Sequence, residues 1–478
     1  MKDLEMYIDG QFIENRSGKW INVLNPSTEE VISRMPDGTV DDVRAAIDAA
    51  EKAQGAWELL TSIERAQYLT KIAQGIRNRE KELTDIIVRE GGKTQGLANV
   101  EVNFTADYID YMAGWARRYE GEIIPSDRPH ETIFVFKKPI GVTTGILPWN
   151  FPFFLVARKA APAMLTGNTI VLKPSQLTPE NAYVFAQIVD EVGVPKGVFN
   201  IVNGRGSVVG HEMAANPKVG MVSLTGSVSA GVQTMEAASA NVTKVSLELG
   251  GKAPAIVMPD ADLDLTVKSI IASRVINTGQ VCNCCERVYV HSSIKDAFIE
   301  KLLDGFGKVK VGNPNEVADL DMGPLIDAGA LKSVEEKVGK AVKQGATLAY
   351  GGKRIGAKGY FFEPTLLTNC TQKMDIIQEE TFGPVLPVVE FTDVEDAITW
   401  ANDCEYGLTS SVYTQNLDMA FKLMRSLKFG ETYINRENFE AMQGFHAGWR
   451  KSGIGGADGK HGLEEYLQTH VVYLETQG

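Results

Sequence analysis

Cysteine is scarce, with five in 478 residues. An odd number of thiols, three of them crowded between Cys282 and Cys285, cannot supply a disulfide framework and fits a reducing compartment. A long apolar run is also missing, for nothing approaches the roughly 20 residues that span a bilayer. The opening stretch Met1 to Gly10 has no apolar h-region and no cleavage site, so a cytoplasmic protein is expected. Basic excess is absent too: 48 Lys and Arg stand against 61 Asp and Glu, a net charge of −13. A nucleic-acid partner would want a basic face, so that class is excluded, and the acidity is read as serving solubility. No repeat of fixed period and no low-complexity linker interrupts the chain. What is there is an ordinary globular composition, 44% hydrophobic and 23% charged, in a chain with room for about three domains.

Apolar periodicity organises the rest. Met6 to Phe12 and Trp20 to Val23 read as short strands around a turn. Val40 to Trp57 and Ser62 to Glu90 carry helical spacing, with Asp41 and Ser62 as N-caps. Val100 to Gly121 continues as helix, and its aromatic stripe of Phe104, Tyr108, Tyr111, Trp115 and Tyr119 is expected to be core packing. Thr132 to Lys138 alternates like a strand, and Thr469 to Leu474 is its one similar partner. The two would make an arm for oligomerisation, or else ordinary edge strands. From Gly141 onward strands and helices alternate: Val142–Leu147, Pro152 to Leu165, Thr169–Leu172, Pro179 to Val192, Val198–Val202, Val208 to Ala215. The pattern runs on past Val245–Leu249 and Ala255–Met258 to Thr409–Tyr413. Such alternation implies an α/β protein built of βαβ units, with parallel sheets covered on both faces. Ligands of such sheets bind at the carboxyl ends of the strands.

The loop Asn277-Thr-Gly-Gln-Val-Cys-Asn-Cys-Cys285 follows a helical run, Leu263 to Ile276. A helix-to-loop junction can present a thiol to a cleft. The thiolate is the nucleophilic form, so a reactive cysteine needs exposure and nearby donors. Cys282 and Cys285 also form a Cys-x-x-Cys, which leaves a redox dithiol or half a zinc site open. A zinc site takes about four ligands, and no second Cys-x-x-Cys or paired histidines follow. Small buried thiols are the third reading.

Companion motifs bear on that choice. Gly279-Gln280-x-Cys282 stands 34 residues after Glu248 in Glu248-Leu-Gly-Gly-Lys252. Four more stretches accompany them: Leu147-Pro-Trp-Asn-Phe-Pro152, Lys173-Pro-Ser175, Thr225-Gly-Ser-Val-Ser-Ala-Gly231 and Glu379-Glu-Thr-Phe-Gly-Pro-Val385. Each has a plain structural reading by itself: a turn-stabilising Asn, a solvated Lys, a strand-to-helix turn, a Gly-Pro turn after surface acids. Their order and spacing, from about Tyr7 to Val472, resemble the aldehyde dehydrogenase superfamily. The run Asp107-Tyr-Ile-Asp-Tyr-Met112 and the tail Tyr433 to His446 are similar to those of bacterial lactaldehyde/glycolaldehyde dehydrogenases.

The resemblance implies a Rossmann-like NAD(P)-binding domain over 1–121 and 140–249, a catalytic α/β domain over 250–447, and a small β oligomerisation arm over 122–139 and 465–478. It implies that Cys282 adds to the aldehyde carbonyl while Asn150 and the Cys282 amide hold the oxyanion. Hydride then passes to the nicotinamide, and Glu248 is the general base that hydrolyses the thioester. Cys284 and Cys285 are left as bystanders. A slightly raised carboxyl is expected at Glu248 if the site is partly buried. Leu147, Pro148, Trp149, Lys173, Ser175, Gln176, Gly206, Gly226, Ser227, Gly231, Leu249, Glu380 and Phe382 are implied to hold the cofactor, with Glu380 on the nicotinamide ribose and Phe382 near its ring. No metal is expected, and the partners are a small aldehyde and further copies of the chain, as dimer or tetramer.

Two residues depart from the family pattern. Arg158 replaces a common Trp, and the spacing of Asn150, Phe154 and Arg158 places them on one helical side. A cation there would favour a small substrate with polar oxygens, with Glu440 and His446 adding hydrogen bonds; the other reading is that Arg158 pairs with an acid elsewhere. Gln176 stands where NAD-preferring members usually have Glu. It can accept from a ribose hydroxyl without repelling a 2′-phosphate, so NAD with tolerance of NADP is expected. An acyl transfer to coenzyme A, a short-chain aldehyde dehydrogenase without hydroxyaldehyde preference, and an inactive binding protein on the same fold are the alternatives. Glu248 speaks against the first, and retention of Cys282, Glu248 and Asn150 together against the last.

Overall fold

Two mainly parallel sheets carry the molecule, whose computed structural model describes residues 2–477. The first has eight strands in the order Gly453–Ile454, Lys244–Glu248, Met221–Thr225, Val142–Ile146, Thr169–Lys173, Phe199–Ile201, Met6–Ile8, Gln11–Ile13. Its five central strands are parallel, and antiparallel partners close both edges. The second has seven strands: Thr347–Tyr350, Thr365–Thr368, Val385–Phe391, Arg287–His291, Pro254–Val257, Thr409–Tyr413, Glu431–Ile434. Strands such as Val142–Ile146 and Thr169–Lys173 are buried along their whole length. Burial on both faces is why they read as continuous rather than alternating apolar runs.

The helix Pro152–Leu165 lies against the first sheet with every residue buried. Proline at its first position suits an N-terminus, where no intrahelical N–H is needed. This helix is central to the site, because Asn150 stands two residues before its start and its first two turns carry Phe154 and Arg158; Asn150 is thus outside the helical side expected from the spacing. A third sheet is antiparallel. Leu467–Glu475 pairs with Glu131–Pro139 along nine residues, with Val471 opposite Val135, and Glu122–Pro125 adds a third strand. The pairing expected between the two marginal strands is thus present, and the third strand is an addition to it. Ile123 and Tyr473 on this sheet are 73% and 65% exposed, large apolar groups left facing outward.

Several boundaries differ from the sequence expectation. The helix caps are Thr39 and Thr61, two positions before Asp41 and one before Ser62. Both are capping boxes, Thr39 with Asp42 and Thr61 with Glu64, each worth about 1 kcal/mol. The Ser62 hydroxyl instead donates to the Ala116 carbonyl at 2.6 Å. The stretch Ser62 to Glu90 is two helices, Ser62–Asn78 and Glu80–Gly91, broken at Arg79, whose side chain reaches Gln187 at 3.0 Å on another helix. Gln95–Ala113 starts earlier than expected and ends in a short 3-10 turn, Gly114–Arg117. Among the described residues no helix is long and apolar enough to cross a membrane.

Candidate active site

The carboxyl ends of the parallel strands bring the chemistry-bearing residues together. Lys244–Glu248 and Met221–Thr225 run side by side with Thr225 opposite Glu248. The Thr225 hydroxyl donates to Glu248 Oε2 at 3.2 Å. Beyond Val142–Ile146 the chain passes through Trp149 and Asn150 into the buried helix. The cysteine loop closes the space from the other side.

That loop is built by an unusual turn. The helix Leu263–Val275 ends one residue earlier than expected, and Asn277, Thr278 and Gly279 follow with φ of 45°, 59° and 74°. A β-branched Thr pays for a left-handed conformation, so the surroundings must enforce it. They do: Thr278 Oγ1 donates to Gly323 O at 3.0 Å, and Asn277 Nδ2 to Asn150 O at 3.2 Å. Asn150 Nδ2 in turn donates to Gln280 O at 3.0 Å. Asn150 is therefore tied to the same loop that carries Cys282, with one amide hydrogen left over.

A cavity of about 330 Å³ results, walled by Cys282, Glu248, Asn150, Arg158 and Glu440 together with Phe104, Phe154 and Phe439. Cys282 is partly exposed to it. Cys284 and Cys285 are buried away from it, and burial pushes both thiols up to about 12. Phe104 belongs to the stripe read as core packing; its ring instead packs on Phe154 and Phe439, at 5.0 and 5.8 Å, as part of the funnel wall. Tyr108, next on the stripe, is fully buried.

Arg158 both lines the cavity and is anchored. Its guanidinium forks onto Asp458, with Nε to Oδ1 at 2.9 Å, and lies 3.5 Å from Glu440 and 3.7 Å from Glu248. Asp458 lies 300 residues further on, at φ +72°, and no local pattern marks it. Arg158 changes the electrostatics of Glu248. Burial pushes that carboxyl up, but Arg158, Lys159 and His446 outweigh it and hold Glu248 below the ordinary carboxylate range. The slightly raised value expected from the sequence is thus reversed. Lys159 is buried on Ser223 Oγ and Thr225 Oγ1, at 2.7 and 3.1 Å, and burial pushes it down to about 8. His446 is 1% exposed, with Nδ1 2.6 Å from Glu431 Oε1. Lys159, Asp458 and Glu431 were not singled out from the sequence.

The residues expected to hold a cofactor fall into three groups. Pro148, Trp149, Gly226, Ser227, Leu249, Glu380 and Phe382 line the same cavity. Gly206 opens on a second cavity of about 460 Å³, with Gly210, Ala230 and Gln233. Lys173 ends its strand and Ser175 lies two residues past it, both buried; Gln176 is exposed, and Leu147 is buried before Pro148. Lys173 is not the solvated lysine of the plain reading. It is 5% exposed, its ammonium meets only the Pro174 and Gly204 carbonyls among the described residues, at 3.0 and 3.5 Å, and burial pushes it down to about 8. A buried ammonium facing only neutral carbonyls suits an incoming hydroxyl or phosphate. Gly231 permits close helix packing, since a Cβ there would meet Leu249 Cδ1 at 2.6 Å. Glu380 accepts from the Gly251 N–H at 2.8 Å, and burial pushes its carboxyl up to about 7. Phe382 holds φ +51° and stacks edge-on with Trp149 at 5.6 Å. These groups fit a nicotinamide dinucleotide laid across the strand ends.

A partly exposed thiol that shares a cavity with a buried carboxylate and an amide donor, between two mainly parallel sheets, fits an enzyme of covalent carbonyl chemistry. The model of the Aldehyde dehydrogenase family matches residues 12–472, and the chain belongs to that family. It is an NAD(P)-dependent aldehyde-oxidising enzyme of that fold. The chain is 67% identical to lactaldehyde dehydrogenase of Escherichia coli (strain K12) over 471 residues, 98% of each chain. It is 42% identical to a D-glyceraldehyde dehydrogenase (NADP(+)) of Thermoplasma acidophilum, covering 100% of this chain and 97% of that one. Among solved structures, a lactaldehyde dehydrogenase from Escherichia coli superposes with a TM-score of 0.99 at 66% identity, over 99% of this chain and 100% of the other.

Proposed function

We propose that the enzyme oxidises small 2-hydroxyaldehydes, lactaldehyde and glycolaldehyde, to their acids through a Cys282 thioester. The observation that carries this reading is the polar pair in the cavity lining: Arg158 and Glu440, 3.5 Å apart, share the cavity with Cys282 and the rings of Phe104, Phe154 and Phe439. The 67% identity to a lactaldehyde dehydrogenase supports it. Cys282 attacks the carbonyl carbon, and the free Asn150 amide hydrogen and the Cys282 N–H stabilise the oxygen anion. Trp149, Gly226, Ser227, Glu380 and Phe382 would hold NAD(P), which would supply the hydride acceptor when bound. Glu248, ionised, takes a proton from the water that releases the acid. Arg158, Glu440 and His446 hold the substrate hydroxyl.

A site built to hydrogen-bond a hydroxyl penalises analogues that lack it, because its own groups are left unpaired. Lactaldehyde and glycolaldehyde are therefore expected to exceed propanal and acetaldehyde in kcat/KM, by about 1–3 kcal/mol per lost hydrogen bond or roughly tenfold to a hundredfold. Equal efficiency on propanal and lactaldehyde would refute the reading. Arg158→Trp is expected to erode the preference. Combined with Asp458→Asn it avoids leaving a buried carboxylate unpaired, which alone costs about 3–5 kcal/mol.

The same reading assigns 1–121 and 140–249, which carry seven of the eight strands of the first sheet, to the cofactor and 250–447 to catalysis. It assigns 122–139 and 465–478 to contacts between copies in a dimer or tetramer, supported by the apolar side chains exposed there. Five free cysteines suit a cytoplasmic setting. NAD is the proposed cofactor, with NADP tolerated. Gln176→Glu is expected to sharpen NAD preference, since a carboxylate repels a 2′-phosphate and accepts from a hydroxyl. NADP/NAD discrimination that did not move would show that position 176 stays away from the ribose.

A further inference from the structure

Three charged side chains are buried together outside the cavity lining: Glu286, Lys252 and Arg274, each 1% exposed or less. Lys252 Nζ donates to Glu286 Oε2 at 2.7 Å, and Arg274 Nη1 lies 2.9 Å from Glu286 Oε1. Burial pushes the Glu286 carboxyl up, but Lys252 and Arg274 outweigh it and hold it down at about 2, so it is ionised. A buried ion cluster adds little net stability, because desolvation offsets its attraction. What this one does is join two segments. The Thr381 N–H donates to Glu286 Oε2 at 3.0 Å and the Phe382 N–H to Oε1 at 3.1 Å, while Lys252 Nζ reaches Thr381 Oγ1 at 3.2 Å. Arg274 donates to the Gly279 carbonyl and, at 2.8 Å, to the Cys285 carbonyl, on either side of Cys282.

The same segments pack backbone on backbone. A Cβ on Gly279 would meet the Gly383 carbonyl oxygen at 2.3 Å, and one on Gly251 would meet the Cys282 carbonyl oxygen at 2.6 Å. Gly251 also donates its N–H to Glu380 at 2.8 Å. Phe382 holds φ +51°, a conformation that a bulky residue keeps only when its surroundings enforce it, and the Glu286 carboxylate grips its N–H.

We propose that Glu286, braced by Lys252 and Arg274, is a positioning residue for hydride transfer: it sets the segment Glu380–Phe382, which would hold the nicotinamide, at a fixed distance from the loop that carries Cys282. Glu286 touches no reacting atom. The proposal rests on the functional reading above, with Cys282 as nucleophile and Glu380 and Phe382 beside the nicotinamide. In the step it serves, the C–H bond of the Cys282 thiohemiacetal breaks, the hydride leaves with both electrons for NAD(P), and the oxyanion collapses to the thioester carbonyl. A misplacement of about 1 Å in such a step costs about a hundredfold. Both Glu286 oxygens accept from backbone N–H groups. An amide offers one oxygen and one NH₂, so Glu286→Gln turns a donor toward Thr381 or Phe382 and must shift that turn.

The test compares Glu286→Gln with Glu286→Gln/Lys252→Met, in which a cation leaves together with the carboxylate. The hydride step is read as first-turnover NADH formation, with the aldehyde and with its C1-deuterated form. The nucleophile is read without cofactor, as acylation of Cys282 by p-nitrophenyl acetate with the labelled peptide mapped. Melting temperature and dinucleotide affinity complete the set. Glu286→Gln is expected to slow first-turnover NADH formation about tenfold to a hundredfold and to raise the isotope effect, while Cys282 acylation stays near the unmutated rate. Dinucleotide affinity should fall less than the rate, since Lys173 and the cavity at Gly206 are untouched. The double variant is expected to regain the melting temperature that Glu286→Gln loses and none of the rate, and it carries the test if Glu286→Gln fails to fold. An unmutated rate in a folded variant, a rate that returns with the melting temperature, or acylation that falls in step with NADH formation would each overturn the role of Glu286. Acetyl label on a residue other than Cys282 in the unmutated enzyme would instead overturn the nucleophile assignment.

Discussion

Cys282→Ala is expected to abolish aldehyde oxidation while dinucleotide affinity stays within a few fold. Removal of a covalent nucleophile from a working constellation costs on the order of 10⁴ to 10⁶ in kcat. Cys282 opens on the cavity beside Asn150 and Glu248, and no neighbouring thiol can take over. Cys284 Sγ is held by Arg274 at 3.1 Å and the Val281 carbonyl at 2.9 Å, and Cys285 packs in the core of the second sheet with Val288 and Phe298. Burial keeps both protonated. Cys284→Ala and Cys285→Ala should therefore retain most activity and lose only packing stability. The measurement is steady-state NADH formation beside equilibrium dinucleotide binding for the three variants. If Cys285→Ala were as inactive as Cys282→Ala, the nucleophile would be misassigned.

The alternating α/β architecture was legible because parallel strands buried on both faces leave long apolar runs separated by helical spacing. Pro152–Leu165 begins and ends where periodicity puts it. Boundaries failed where a side chain chose a distant partner, as when Ser62 turned to Ala116 and left the cap to Thr61. The site was legible only as far as its motifs. Asp458, which fixes Arg158, is in contact across 300 residues, and Glu431 reaches His446 only through the fold. Neither has a spacing that a linear pattern could reveal. The sign of the Glu248 shift was missed for the same reason: burial is foreseeable from a carboxylate next to Leu-Gly-Gly, but the cations that outweigh it come from a helix and a loop far away in sequence.

Glu248→Gln is expected to stall the enzyme after hydride transfer. The amide is nearly isosteric, and Arg158 keeps Asp458 and Glu440 as partners, so the fold and the nucleophile should persist. An amide cannot take a proton from water, and loss of a positioned base costs roughly 10² to 10⁴ in the step it serves. The thioester on Cys282 should accumulate. A pre-steady-state burst of NADH, with amplitude near one per active site, should precede slow turnover. The pH profile separates this from a merely structural loss. Arg158, Lys159 and His446 hold the Glu248 carboxyl below the ordinary range despite its burial, so in the unmutated enzyme the base stays ionised until the pH falls through that depressed value. Hydrolysis of the thioester should accordingly persist into mildly acidic solution, with no loss near neutrality traceable to Glu248. Absence of a burst in Glu248→Gln together with a normal steady-state rate would remove Glu248 from the role of base.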